Sequence, residues 1–221
     1  MSGPSGTVSD RRAPQNGGPF SVRGLPALPL GARLGVLGGS FDPPHAGHLH
    51  ISLEAVRRLR LDALWWLVSP GNPLKPDPPA AVERRLEACK ALIGGHRRLR
   101  ALDLESRWGT RYTVDTLTRL VAGLPGRRLV WIMGADGMAE LHRWRDWRRI
   151  METVPVAVFG RPGDTVAAGL SRAARAYAGA RLPAEAAPLL AAAEPPAWAL
   201  IHHPLRTESS TAIRAAGGWR R

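Results

Sequence analysis

The stretch Arg33-Leu34-Gly35-Val36-Leu37-Gly38-Gly39-Ser40-Phe41-Asp42-Pro43-Pro44-His45-Ala46-Gly47-His48-Leu49 sets a first structural element beside a first candidate site. Arg33 to Leu37 reads as a short strand, after which Leu49, Leu53, Val56 and Leu59 recur at the spacing of one helix face. Between the two, Gly38 and Gly39 let the backbone approach a ligand, Pro43 and Pro44 stiffen the loop, and His45 and His48 flank Gly47 where the helix begins. A helix start of this kind presents free backbone N–H groups and the positive end of the helix dipole, and Gly47 leaves room there for an anion. Histidines in this place can donate to phosphate oxygens, which suits phosphoryl or nucleotidyl transfer. A metal reading competes, since His45, His48 and His50 lie close together, but no carboxylate or cysteine completes a ligand spacing and no metal site is expected. A Gly-Pro turn carrying incidental surface histidines is the plainer alternative.

Outward from this unit the pattern repeats. Ala63 to Val68 reads as a second strand, Val82 to Ile93 as a helix, Leu99 to Leu102 as a strand and Tyr112 to Val121 as a helix. Leu129 to Met133, Pro155 to Phe159 and Ala197 to Ile201 supply three more strands. Continuous apolar runs are typical of parallel strands buried on both faces, so the alternation predicts a three-layer α/β fold with a mainly parallel sheet. Ligands bind such sheets beyond the carboxyl ends of the strands. That singles out loops 38–47, 69–79, 103–112, 134–145 and 202–211. Residues 161–196, rich in Ala, Arg and Pro, read as a helical excursion without chemistry. Residues 1–31, rich in Gly, Pro and Ser, are expected to form a flexible tail before a single domain over 32–221.

With 44% apolar and 22% charged residues among 221, the composition is that of a folded globular chain. The unusual quantity is charge: 31 Lys and Arg against 18 Asp and Glu give +13, and only Lys75 and Lys90 are lysines. Nucleic acid, a membrane surface or a small phosphorylated substrate would each answer such an excess. The arginines fall in short pairs such as Arg57-Arg58 and Arg148-Arg149 and never form a basic block, which argues against a nucleic-acid surface. A basic nucleic-acid-binding protein stays open on charge alone. No apolar run approaches the ~18 residues of a bilayer span, and Arg11-Arg12 precedes polar residues where a signal sequence would be apolar, so a cytoplasmic protein is expected. Cys89 is the only cysteine and reads as a half-buried helix residue.

Neither standard phosphate loop is present. A second candidate lies far along the chain, in Glu208-Ser209-Ser210-Thr211-Ala212-Ile213-Arg214. It reads as a helix start whose hydroxyls can cap and whose free N–H groups can meet a phosphate, with Arg214 placed to add a bidentate contact. A plain serine cap beside a surface arginine is the alternative for this segment taken alone.

The two motifs together resemble those of the His-x-Gly-His nucleotidyltransferase superfamily, and within it the bacterial nicotinate-nucleotide adenylyltransferases. Gly38 to His48 is similar to the family's Gly-Gly-Thr/Ser-Phe-Asp-Pro-x-His-x-Gly-His opening and Ser209 to Arg214 to its Ser-Ser-Thr-x-Ile-Arg close. Pro70 to Lys75, Arg111 to Leu117, Met133 to Asp136 and His142 to Trp147 resemble its intermediate segments. The resemblance implies a Rossmann-like nucleotidyltransferase fold that transfers AMP from ATP to nicotinate mononucleotide, with Mg2+ arriving on ATP. It implies that His45 and His48 are catalytic, and that Gly38, Gly39, Ser40, Phe41, His45, His48, Ser209, Ser210, Thr211 and Arg214 hold ATP. Lys75 and Arg214 would meet phosphates, while Asn72, Tyr112, Thr113, Asp136, Trp144 and Arg145 would hold the mononucleotide. Trp144 would stack on the pyridine ring and Asp136 accept a ribose hydroxyl, N-capping of the following segment being Asp136's plainer task. Sister enzymes acting on nicotinamide mononucleotide or phosphopantetheine are the alternatives within the superfamily. A homo-oligomer is left open, since many relatives carry a further helix after the closing motif where this chain has Gly217-Gly218-Trp219-Arg220-Arg221.

Overall fold

A computed structural model of the chain describes residues 25–71, 77–160, 163, 165–204 and 208–220; Asn72 and Lys75 lie outside the described residues. Among the described residues seven strands, β1 (Arg33–Gly39), β2 (Ala63–Val68), β3 (Leu99–Leu102), β4 (Arg128–Gly134), β5 (Val156–Phe159), β6 (Arg181–Leu182) and β7 (Trp198–Ile201), form one sheet in the order β3-β2-β1-β4-β5-β7-β6. Every pairing is parallel. The helices are α1 (Ala46–Arg58), α2 (Val82–Ile93), α3 (Leu104–Trp108), α4 (Thr113–Gly123), α5 (Ala135–Glu140), α6 (Trp147–Thr153), α7 (Thr165–Gly169), α8 (Arg172–Ala176) and α9 (Ser210–Ala215).

The side-chain period of two sends each strand's residues to opposite faces. Leu34, Val36, Trp65, Leu67 and Trp131 point to one face, where Val114, Leu117 and Leu120 of α4, Met138 of α5 and Ile150 of α6 cover them. Leu37, Leu64, Trp66, Val130 and Ile132 point to the other, under Ala55 and Val56 of α1 and Cys89 and Ile93 of α2. All six residues of β2 are buried, as its unbroken apolar run requires. Each large side chain so buried contributes roughly 1.5–3 kcal/mol. Cys89 is fully buried rather than half-buried, and desolvation pushes its thiol up to about 12, so it is inert packing.

The chain runs from β1 outward to β2 and β3, then returns to place β4 on the other side of β1. That reversal opens a crevice between the carboxyl ends of β1 and β4, which is where such sheets bind ligands. The strands expected from periodicity are all present, with β1 and β4 running further toward this crevice, to Gly39 and Gly134. The segment 161–196 carries α7, α8 and the two-residue β6, which is too short for any periodicity to mark. Residues 25–31, grouped with the tail by composition, are docked: Arg127 donates from Nη2 to the Leu28 carbonyl at 2.8 Å, and the Gly31 N–H to the Gly126 carbonyl at 2.7 Å.

Gly38 has a different task from the one its place in the loop suggests. A Cβ there would lie 2.3 Å from Cη2 of Trp131, so the missing side chain makes room for an indole of the core rather than for a ligand. Overpacking of this kind costs about 1–3 kcal/mol, and Gly38→Ala is expected to lose that much stability. Adding Trp131→Phe, which shortens the clashing ring, should recover part of it. Denaturant titrations in which the two losses simply add would show that the sites are not coupled in this way.

Candidate active site at the carboxyl edge of the sheet

His45 takes the N-cap position of α1 in an extended conformation and is buried. Its backbone N–H donates to Nδ1 of His48 at 3.2 Å, and the two imidazole centroids are 3.9 Å apart. An Nδ1 that accepts a hydrogen bond fixes the neutral tautomer with its proton on Nε2, so Nε2 of His48 is a hydrogen-bond donor without the ring being charged. Phe41, held in the left-handed region at φ 47°, stacks on Trp66 at 4.9 Å and meets His48 at 4.8 Å. Trp66 donates its indole N–H to Ser52 Oγ at 2.7 Å, and Ser52 donates onward to the His48 carbonyl at 2.8 Å. The histidine pair is thus mounted on an aromatic ladder that reaches down to the sheet.

The distant closing motif arrives at the same loop. Ser209 caps α9 by accepting from the Ala212 N–H at 3.1 Å, as its sequence pattern predicts. Ser210 donates to the Pro43 carbonyl at 2.8 Å, and Arg214 donates from Nη1 to the Asp42 carbonyl and from Nη2 to Thr211 Oγ1 at 3.3 Å. Gly47 makes room for the His45 ring: a Cβ there would fall 2.9 Å from His45 Nδ1, while the Glu208 carbonyl would lie at an ordinary contact distance of 3.6 Å.

A second set of expected site residues is divided between the start of α4 with the turn before α6, where Arg145 meets Tyr112, and the start of α5. Tyr112 is the N-cap of α4, with Thr113 its first helical residue, and the Arg145 guanidinium lies 4.6 Å over the Tyr112 ring. Trp144 is partly buried against the core face that α4 covers. Asp136 is exposed in the first turn of α5, whose cap is Gly134, so Asp136 is not the capping residue.

Arg85 escapes sequence reading altogether. It is fully buried, and donates from Nε to the Ala80 carbonyl at 2.6 Å and from Nη1 to the carbonyls of Ser40 at 2.6 Å and Ser69 at 2.7 Å. Burial lowers its pKa and the nearby Asp42 opposes that shift. One guanidinium therefore fastens the loops that follow β1 and β2. In sequence it is one of an Arg84-Arg85 pair on an apparently solvated helix, and only a buried-face phase for residue 85 would have set it apart.

This is the fold and the motif arrangement of a nucleotidyltransferase, and the chain matches the cytidylyltransferase-like family over residues 36–216. It is 52% identical over 197 residues, 89% of this chain and 92% of the relative, to a "Probable nicotinate-nucleotide adenylyltransferase" of Ruegeria pomeroyi. A protein of the same name from Cereibacter sphaeroides is 57% identical over 187 residues, 85% of this chain and 99% of its own. Among solved structures, the fold resembles that of Plasmodium falciparum nicotinic acid mononucleotide adenylyltransferase complexed with NaAD, with TM-score 0.65 and 16% identity over 83% of each chain. The same parasite enzyme complexed with APC gives a TM-score of 0.63 at 15% identity, again over 83% of each chain. The chain belongs to the cytidylyltransferase-like family and, within it, to the nicotinate-nucleotide adenylyltransferases.

One further buried group adjoins the Tyr112 end of the site. Glu105 Oε1 accepts from Thr116 Oγ1 at 3.2 Å, and Thr116 Oγ1 lies 2.9 Å from Thr110 Oγ1, which ties α3 and the turn after it to the first turn of α4. Burial raises the Glu105 carboxyl from 4.5 to about 7, the Thr116 hydrogen bond opposing. The contribution of Glu105 to stability is then greatest below pH 4.5, where the group is protonated in folded and unfolded chains alike, falls as pH rises to about 7, and is level above. Glu105→Gln keeps an acceptor for Thr116 but cannot ionise. Relative to the parent it should gain on the order of 3 kcal/mol between pH 4.5 and pH 8. Urea titrations that give the same difference between the two proteins at both pH values would refute this role for the carboxyl.

Proposed function

We infer that the chain transfers AMP from ATP to nicotinate mononucleotide, releasing pyrophosphate and forming nicotinate adenine dinucleotide, a step of NAD biosynthesis. The observation that carries this reading is the meeting of two phosphate-binding motifs at one loop, through Ser210 on Pro43 and Arg214 on Asp42. Membership of the nicotinate-nucleotide adenylyltransferases supplies the acceptor. In this reading residues 32–221 act as one catalytic domain in the cytoplasm, on ATP and the mononucleotide and not on nucleic acid or membranes. No helix of the described residues is long and apolar enough to cross a membrane.

The reaction is a direct displacement. An oxygen of the mononucleotide's 5′-phosphate forms a bond to the α-phosphorus of ATP, the bond from that phosphorus to the β-bridging oxygen breaks, and the electron pair leaves with pyrophosphate. Aligning two polyanions and offering donors where charge builds accounts for most of such catalysis. His48, with its proton on Nε2, and His45 beside it supply those donors at the start of α1. Gly39, Ser40 and Phe41 shape the floor on which ATP lies, Gly38 admits the Trp131 indole beneath it, and Ser209, Ser210, Thr211 and Arg214 close over its phosphates. Lys75 and Asn72 act from the loop after β2. Tyr112, Thr113, Asp136, Trp144 and Arg145 hold the mononucleotide, with the Trp144 indole stacking on the pyridine ring. In this reading Mg2+ arrives with the substrate, as the complex with ATP.

Pyrophosphate release from Mg-ATP, with nicotinate mononucleotide, nicotinamide mononucleotide and phosphopantetheine offered in turn, tests this reading. Turnover with the first at the highest kcat/KM is expected; turnover with none would overturn it and leave a binding protein. His48→Ala is expected to lower kcat by at least about a hundredfold, the cost of one preorganised donor, with the circular dichroism spectrum unchanged. Near-parent turnover in that variant would remove His48 from the chemistry.

A further inference from the structure

α9 carries the closing motif, yet it is six residues long and has no buried residue. No apolar face fixes it to the sheet, so polar ties must set its position over the loop between β1 and α1. Two of those ties are Ser210 to Pro43 and Arg214 to Asp42. A third comes from beyond the helix. Gly217, at φ 74°, ends α9 in the left-handed conformation, with the Gly217 N–H on the Arg214 carbonyl at 3.0 Å and the Gly218 N–H on the Ile213 carbonyl at 3.0 Å. This glycine-ended turn reverses the chain. Trp219 thereby returns to the loop, where its indole N–H donates to Oδ1 of Asp42 at 2.7 Å.

Asp42 is the place where this contact matters. Asp42 is only 2% exposed; its carboxylate also accepts from the Ala80 N–H at 3.3 Å, while its backbone carbonyl takes Arg214. A buried carboxylate that loses a donor keeps its desolvation cost, so the segment around it must shift to find another. The Trp219 ring is held in turn by the Arg84 guanidinium, 4.1 Å from its centroid, and Arg84 also donates to the Arg220 carbonyl. α2 and the segment after α9 thus clamp the indole on Asp42.

We propose that Trp219 is a positioning residue for the ATP end of the site: by holding Asp42 it keeps α9 and the loop between β1 and α1 in the register that ATP needs. The proposal rests on the adenylyl-transfer reading and extends it to a residue outside both motifs. Its effect is confined to ATP, because the Tyr112 and Arg145 group is built on α4 and on the turn before α6.

Trp219→Phe keeps an aromatic ring for Arg84 and removes only the indole N–H. The expected result is a KM for ATP raised about five- to tenfold, with kcat and the KM for nicotinate mononucleotide within twofold of the parent. Trp219→Ala should raise the ATP KM further with the same split. An ATP KM unchanged in both variants, or a rise shared equally by both substrates, overturns the proposal. If the parent protein shows no turnover, the functional reading fails instead. Calorimetric titration with ATP then decides, a five- to tenfold weaker Kd in Trp219→Phe supporting the positioning role and an unchanged one ending it.

Discussion

The crevice depends on a buried cation. Arg85 is fully enclosed, and moving its charge from water into the interior would be prohibitive without partners on most of its donors. The carbonyls of Ser40, Ser69 and Ala80 meet it at 2.6 to 2.7 Å. These carbonyls belong to the segments that leave β1, leave β2 and enter α2, so a single planar fork sets the spacing of three chain segments at once. A lysine, with one nitrogen, could not span them in this geometry. Asp42, close enough to act electrostatically on Arg85, brings the compensating charge to the same loop. Through Asp42 the constraint passes outward to Ala80, Trp219 and Arg214.

The net charge of +13 divides between interior and surface tasks. Arg85 is structural, Arg84 clamps an indole, Arg214 ties α9 to the loop after β1, and Arg145 lies over the Tyr112 ring. Others are partly neutralised on the surface: Arg57 and Arg58 share Glu54 at 2.9 and 2.7 Å. Although burial works against it, Glu54 is drawn down to about 2 by those two hydrogen bonds. A net positive charge of this size attracts polyanions and raises their encounter rates in a salt-dependent way.

Much of this was legible in the sequence. Ala63 to Val68 and Val82 to Ile93 fold over the residues their periodicity marks, because an unbroken apolar run and an amphipathic period each have one good burial solution. The two motifs were legible as helix starts, and their meeting follows from parallel strands that deliver loops to one edge. Side-chain partnership was not legible. Arg84 and Arg85 are identical letters, one stacked on Trp219 and the other buried, and only the rotation of α2 separates them. Gly38 looks like a ligand-facing glycine because its partner, Trp131, lies on a strand 93 positions away and enters the argument only once β1 and β4 are paired. β6 and α3 are too short to leave a period, and Glu105 differs from a surface glutamate only in the hydroxyls folding brings to it.

Stability and function are therefore held by different forces. The core on the two faces of the sheet contains tryptophans, leucines and valines at or near zero exposure, each worth roughly 1.5–3 kcal/mol, and its loss would unfold the chain. The carboxyl edge is assembled from hydrogen bonds to loops, each worth about 1 kcal/mol net, around an α9 that buries no residue. A change at the edge can thus displace the closing motif by an ångström while costing the fold little. Since alignment of two phosphates is the main thing such a site supplies, that displacement is amplified in rate and affinity. The contacts that Ser210, Arg214 and Trp219 make from α9 and the segment after it are accordingly better read in kinetics than in melting temperature, whereas loss of the buried Arg85 would be felt in both.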